Sequence, residues 1–137
     1  MPSKQTTENL HDIGLLVLRL GLAVPLFWLH GWGKLMSFGE RAERFADPIG
    51  LGPTASLALI VFAEVFCAAL VALGLFTRWA AIPPAFGLAV AFFVQHAGDP
   101  FGERELAFLF MTGFTAVALL GGGKFAVERA FRRKGKR

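Results

Sequence analysis

The sequence predicts an all-α fold, an integral membrane four-helix bundle, and three observations lead there. The chain of 137 residues is 55% hydrophobic and only 18% charged, and its mean hydropathy is +0.55, above that of an ordinary soluble domain. Four apolar blocks are separated by short polar or Gly/Pro-rich stretches. Those blocks leave almost no charged face for water, which a soluble bundle requires.

Each block, with its flanks, approaches the ~17 to 25 residues that a bilayer crossing needs. The helices are predicted at about 12–30, 54–75, 78–97 and 105–121, in a single domain spanning 1–137 with a basic tail at 124–137. The first block resembles a secretory leader in hydropathy, but Arg19 interrupts its centre and no small-x-small cleavage site follows, so it reads as a retained helix. Pro25 should kink the first helix, and Pro83 and Pro84 the third. The connection SFGERAERFADPIGLGP sets Phe38, Phe45 and Ile49 among charges, which predicts a short amphipathic turn over the outer mouth.

Lysine and arginine set the orientation. With four spans, Lys4, Arg78, Lys124, Arg129, Arg132, Arg133, Lys134, Lys136 and Arg137 share one side with both termini, while Lys34, Arg41, Arg44 and Arg104 lie opposite among carboxylates. Both termini are therefore expected to be cytoplasmic. The tail ERAFRRKGKR follows directly on a span, so it is read as lying on anionic headgroups and not as binding nucleic acid. Trp28 and Trp32 at one end and Trp79 at the other fit interfacial belts. The lone Cys67 reads as a small core residue.

Two ionisable residues fall inside predicted spans, where each costs ~2.5 to 3.5 kcal/mol on insertion scales. Counted at ~1.5 Å per residue from the cytoplasmic side, Arg19 lies about 10 Å up and Glu64 about 19 Å up. An extended arginine and a glutamate reaching toward it would close the gap, so an intramembrane ion pair between Arg19 and Glu64 is expected. Asp12, Arg19 and His30 fall within about 40° on a wheel of ~100° per residue, forming one inward edge of the first helix.

At the outer end, His30 stands about 27 Å up and His96 about 25 Å up by the same count. Lys34 follows His30 by one turn, and Asp99, Glu103 and Glu105 follow His96. His30, Lys34, His96 and Glu105 are thus expected to line an outer-mouth site for a small molecule. A bis-histidine haem is not expected, because neither histidine sits within a helix interior, nor is a zinc site, which would need more ligands of clear spacing. Gly31 and Gly33 read as a helix end with close backbone approach.

In order, the pieces LLVLRLGLAVPLFWLHGWGKL, GLGPTASLALIVFAEVFCAALVALGLFTRWAA, FFVQHAGDPFGERELAFLF and LLGGGKFAVERAF resemble the DoxX family of small four-helix membrane proteins. The resemblance rests on Arg19, His30, Gly31, Lys34, Glu64, Gly74, Thr77, Arg78, His96 and Glu105 in their order, with Thr77 and Arg78 at the turn between the second and third helices. It implies a multi-pass protein of a bacterial or archaeal inner membrane linked to redox metabolism, with relatives among subunits of thiosulfate:quinone oxidoreductase and in complexes handling thiol and oxidative stress. A related branch carries cysteines suited to thiol chemistry, a pattern from which the single Cys67 departs.

The leading expectation is an accessory or quinone-interacting subunit. His30, Lys34 or His96 would donate to the quinone carbonyls, and Glu64 or Glu105 would exchange protons. The sequence offers no evident electron carrier, so electrons would come from a partner, such as a soluble oxidoreductase or sulfurtransferase. Two other expectations stand beside it: a non-catalytic membrane scaffold or anchor, and a small transporter or proton conduit, which would require a homo-oligomer.

Overall fold

The computed structural model describes residues 1–136, which form helices and turns with no strand. Arg137, last in the expected basic tail, lies outside the described residues. Six helices are named here in chain order: α1 (Lys4–Met36), α2 (Phe38–Arg41), α3 (Pro53–Leu73), α4 (Thr77–Gln95), α5 (Phe101–Leu120) and α6 (Val127–Lys134).

Three of them, α1, α3 and α4, are long and apolar enough to cross a membrane. α5 has 20 residues, but Glu103, Arg104 and Glu105 interrupt its apolar run near the start. α1 is longer at both ends than the sequence suggested. Ser3 caps its start by accepting from the Thr6 amide, and it runs through Gly31 and Gly33 to Met36.

The outer surface carries Val17, Leu20 and Val24 on α1, Leu59, Phe62 and Phe66 on α3, and Phe86 and Phe93 on α4, all exposed. Steps of three, four or seven put each set on one helical face, and those apolar faces look outward to lipid. The interior holds small residues at the helix contacts, Ala23, Ala68, Ala80 and Ala81, around Leu26, Val71, Phe114 and Val117. At Gly113 an added Cβ would fall 2.5 Å from a Leu22 methyl group, so the glycine lets α5 lie close against α1.

The prolines act differently from the expected kinks. Pro25 cannot donate to the turn before it, and the helix widens to π geometry over Leu26–Gly31. Similar wide turns occur at Phe62–Cys67 in α3 and Ala91–Gln95 in α4. Pro83 and Pro84 stand in the first turn after a break at Ala81, where a missing N–H costs least.

α3 ends in a closed turn. Gly74 has φ +79°, Leu75 N donates to Leu70 O at 2.9 Å, and Gly74 N donates to Val71 O at 3.2 Å, the Schellman pattern. Arg19, wholly buried, completes it: Nη1 donates to Val71 O at 3.1 Å and to Ala72 O at 3.3 Å. A guanidinium at a helix C-terminus meets the negative end of the dipole and carbonyls that lipid cannot satisfy.

The C-terminal segment locks onto the same end. Gly121 and Gly123 turn the chain at φ +84° and +74°. Lys124 N then donates to Asp12 Oδ1 at 2.9 Å, and Glu128 N donates to Gly74 O at 3.1 Å. The Glu128 carboxylate accepts from Thr77 Oγ1 at 3.0 Å and Thr77 N at 3.3 Å, while Arg78 Nη2 donates to Leu120 O at 3.4 Å. The basic tail, read from sequence only as charge, thus contains a helix bonded to the end of the bundle.

Gly74 has no room for a side chain: a Cβ there would collide with the Arg19 guanidinium and Ala126. Gly74→Ala is expected to destabilise the protein by more than about 1 kcal/mol, read as a lower midpoint of thermal unfolding in detergent. An unchanged midpoint would contradict the assigned turn.

Candidate functional site

At the opposite end, Gly31 decides how α1 meets α3. A Cβ on Gly31 would lie 2.8 Å from the Glu64 carbonyl carbon and oxygen and from Val65 Cγ2. Without one, the wide turns of α1 and α3 pack backbone to backbone. This contact fixes the register. Arg19 lies twelve residues back along α1, about 18 Å toward the inner end, and Gly74 lies ten residues along α3 from Glu64, about 15 Å in the same direction.

The expected Arg19–Glu64 pair is therefore not formed. Arg19 sits level with the end of α3 and bonds its carbonyls, and the carboxylate whose charge acts on it is Glu128. The sequence-based depths assumed that Asp12 and Thr77 lie level, whereas this register sets Asp12 about 9 Å further from the bundle's centre. Glu64 pairs instead with Lys34, Nζ to Oε2 at 2.7 Å, with the side chains 19% and 8% exposed respectively. Lys34 Nζ also donates to His30 O at 3.2 Å.

The pair sits on a cavity of about 700 Å³ bounded by α1, α3, α4, α5 and the 45–51 loop. Its walls are mainly apolar, with Leu26, Ile60 and Phe110 among them and the exposed Leu59, Phe62 and Phe86 at its rim, and its charged or ionisable members are His30, Lys34, Glu64, His96, Glu103 and Arg104. The His30 ring stands edge-on to Phe110 at 6.0 Å between centroids. His96 Nδ1 lies 2.7 Å from Asp99 Oδ2, which orients that ring. Arg104 donates to Phe92 O at 3.2 Å and stacks 4.5 Å above the Phe92 ring.

Of the four residues expected at the outer mouth, His30, Lys34 and His96 line the cavity and Glu105 does not. Glu105 lies about 100° around α5 from Arg104 and is exposed, so Glu103 and Glu64 supply the carboxylates. The polar edge of α1 is likewise no single seam: Asp12 caps the C-terminal turn, Arg19 caps α3, and His30 faces the cavity. Buried Leu15 and Leu26 separate them. Thr77 and Arg78 lie at the inner-end turn, and Cys67 is buried. Among the described residues, no three His, Cys, Asp or Glu side chains gather closely enough to hold a metal ion.

The chemistry available follows from the remaining valences. Lysine has three donors, of which Lys34 uses two. Glu64 engages only Oε2, leaving Oε1 to accept. A partly buried ion pair at an apolar wall can thus donate to a ligand oxygen and accept a proton beside it.

The 45–51 loop covers the outer side through Phe45, Ala46, Pro48, Ile49 and Leu51. Asp47 ties it down, accepting from Leu51 N, Gly52 N and Ser56 Oγ, each at 2.9 Å. The Ser56 hydroxyl, then the Gly52, Leu51 and Gly50 amides, hold the Asp47 carboxyl below its ordinary value of 3.8. A depressed carboxyl contributes stability that is complete above its unfolded value and lost as pH falls through the folded one. Exchange protection of the Leu51 and Gly52 amides, corrected for intrinsic rate, should hold from neutral pH to ordinary carboxylate pH and fall below it. In Asp47→Ala it should be low throughout. Protection unchanged in that variant would contradict the tie.

The ion pair yields a second test. Lys34→Met or Glu64→Leu alone leaves one charge without its partner and should cost roughly 3 kcal/mol, the double variant clearly less than the sum. Arg19→Met combined with Glu64→Leu should instead be additive. Thermal unfolding of the parent and the five variants, Arg19→Met alone included, would reveal the reverse if Glu64 served Arg19.

Comparison with known proteins bears on what this site belongs to. No curated protein and no solved structure gives a significant match. The DoxX family model matches residues 14–97, more than half of the 137 residues. The match takes in α3, α4 and most of α1, including Arg19, Gly31, Lys34, Glu64 and His96, and ends before α5 and α6. On that match the chain belongs to the DoxX family.

Proposed function

We propose that the chain is a four-span protein of a bacterial or archaeal inner membrane, with both termini cytoplasmic, and that its outer cavity binds a quinone headgroup in redox or thiol-stress metabolism. The observation that carries this reading is the Lys34–Glu64 pair set into an apolar cavity of about 700 Å³, within the range of small-molecule sites. The orientation draws on the gathering of Lys124, Arg129, Arg132, Arg133 and Lys134 with the termini at one end.

A quinone needs a flat apolar slot, donors at its carbonyls and a proton source. Lys34 offers its third N–H to one carbonyl, and His30 and His96 stand on the same cavity for the other. Glu64 Oε1, not engaged by Lys34, is free to take up and hand on a proton, in a site the 45–51 loop covers. Two electrons and two protons convert quinone to quinol; the electrons are supplied by a partner oxidoreductase, and the chain's own task is to bind, orient and hand on protons.

The test is a titration of the purified protein with short-tailed ubiquinone and menaquinone analogues, followed by tryptophan fluorescence and thermal stability. A saturable response is expected, weakened roughly 10- to 100-fold in Lys34→Met, the value of a hydrogen bond from a charged donor. No response to any analogue, or equal affinity in the variant, would remove this reading.

A further inference from the structure

The C-terminal segment carries a second site that the cavity reading does not use. α6 has eight residues, and at ~100° per residue Arg129, Arg132 and Arg133 lie on one side, with Val127 and Phe131 roughly opposite. Its one acidic residue, Glu128, turns to the bundle and accepts from Thr77. The remaining surface is therefore purely basic and apolar. Phe125 and Phe131 are 49% and 65% exposed, unusual for phenylalanine unless something apolar covers them.

The depth of this helix is fixed by bonds and not by its own affinity. Lys124 N is held on Asp12, Glu128 N on Gly74 O, and the Glu128 carboxylate on Thr77. Two residues beyond Thr77, Trp79 is 76% exposed, as expected of an indole at the lipid–water interface. α6 is thereby held at headgroup level, its basic side available to phosphates and its aromatic side to the upper acyl region. Between the 124–126 segment and the helix lies an open cleft of about 530 Å³, lined by Lys124, Phe125, Arg129, Arg133 and Lys134 among others.

We propose that this cleft binds the phosphodiester of an anionic phospholipid of the bilayer, its phosphate between Lys124, Arg129 and Arg133 and its acyl chains beside Phe125. Phosphate chemistry suits the cluster, because guanidinium groups chelate phosphate oxygens through two parallel donors. The lipid, as against free phosphate, is favoured by the exposed phenylalanines and the interfacial level. Neutral phosphatidylcholine has the same phosphodiester, but its choline cation would face this cluster of cations. The site therefore discriminates by net headgroup charge.

Native mass spectrometry of the full chain in detergent tests it, by titration with dioleoylphosphatidylglycerol and, separately, with dioleoylphosphatidylcholine. Phosphatidylglycerol should bind at least tenfold more tightly. K124Q/R129Q/R133Q should lose about fivefold per cation, roughly a hundredfold in all, with the helical circular dichroism of the parent. R129Q/R133Q, which removes two of the three cations, should lose roughly 25-fold and decides the matter if the triple variant misfolds. Soluble glycerophosphoglycerol should not displace the lipid at millimolar concentration. Equal binding of the two lipids, a triple variant that still prefers phosphatidylglycerol as the parent does, or displacement by the soluble headgroup would each overturn the proposal.

Discussion

Inside a bilayer no water completes a hydrogen bond, so every buried polar group must find its partner within the chain. Gly31 against the Glu64 backbone is the contact through which this chain meets most of that demand; among the described residues, Arg19 Nε and Arg104 Nε are the buried side-chain atoms without a partner. By letting two widened helical turns touch, Gly31 sets the register of α1 against α3. That register places one cation at each end of the pair of helices, each with something to bond. Arg19 falls at the last turn of α3, where Val71 and Ala72 present carbonyls. Lys34 falls beside Glu64. Shift α1 by one turn and both cations lose their acceptors.

The two ends then acquire different characters. The end that carries Gly74 is closed: Asp12, Arg19, Gly74, Thr77 and Glu128 bond one another or neighbouring backbone, with the buried Arg19 Nε left without a partner. The outer end is hollow, with a charge pair that retains a free donor and a free acceptor. A partly buried pair with spare valences faces an open cavity there, its desolvation already met by the fold.

The helices were legible because hydropathy reports burial in lipid directly, and the turn at Gly74 to Arg78 because Gly, Thr and Arg punctuate it. Partners of the charges were not. Reading Gly31 and Gly33 as a helix end stopped the first helix six residues short of Met36, so Lys34 was placed beyond the span instead of over Glu64. The depth scale took Asp12 and Thr77 as level, an assumption only tertiary register can correct. Spacing along the chain cannot tell which face of α5 turns inward, and so does not separate Glu103 from Glu105. α6 escaped notice because its charge dominates its composition and only Val127 and Phe131 reveal its second face.

The central claim is that Glu64 serves Lys34 and not Arg19. Solid-state NMR of the protein in lipid, with nitrogen-15 in the lysine and arginine side chains and carbon-13 at the glutamate carboxyls, measures it directly. A strong dipolar coupling between Lys34 Nζ and Glu64 Cδ, with none between the Arg19 guanidinium and Glu64, is the expected result. Coupling of Glu64 to Arg19, with Lys34 uncoupled, would contradict the register and everything built on it.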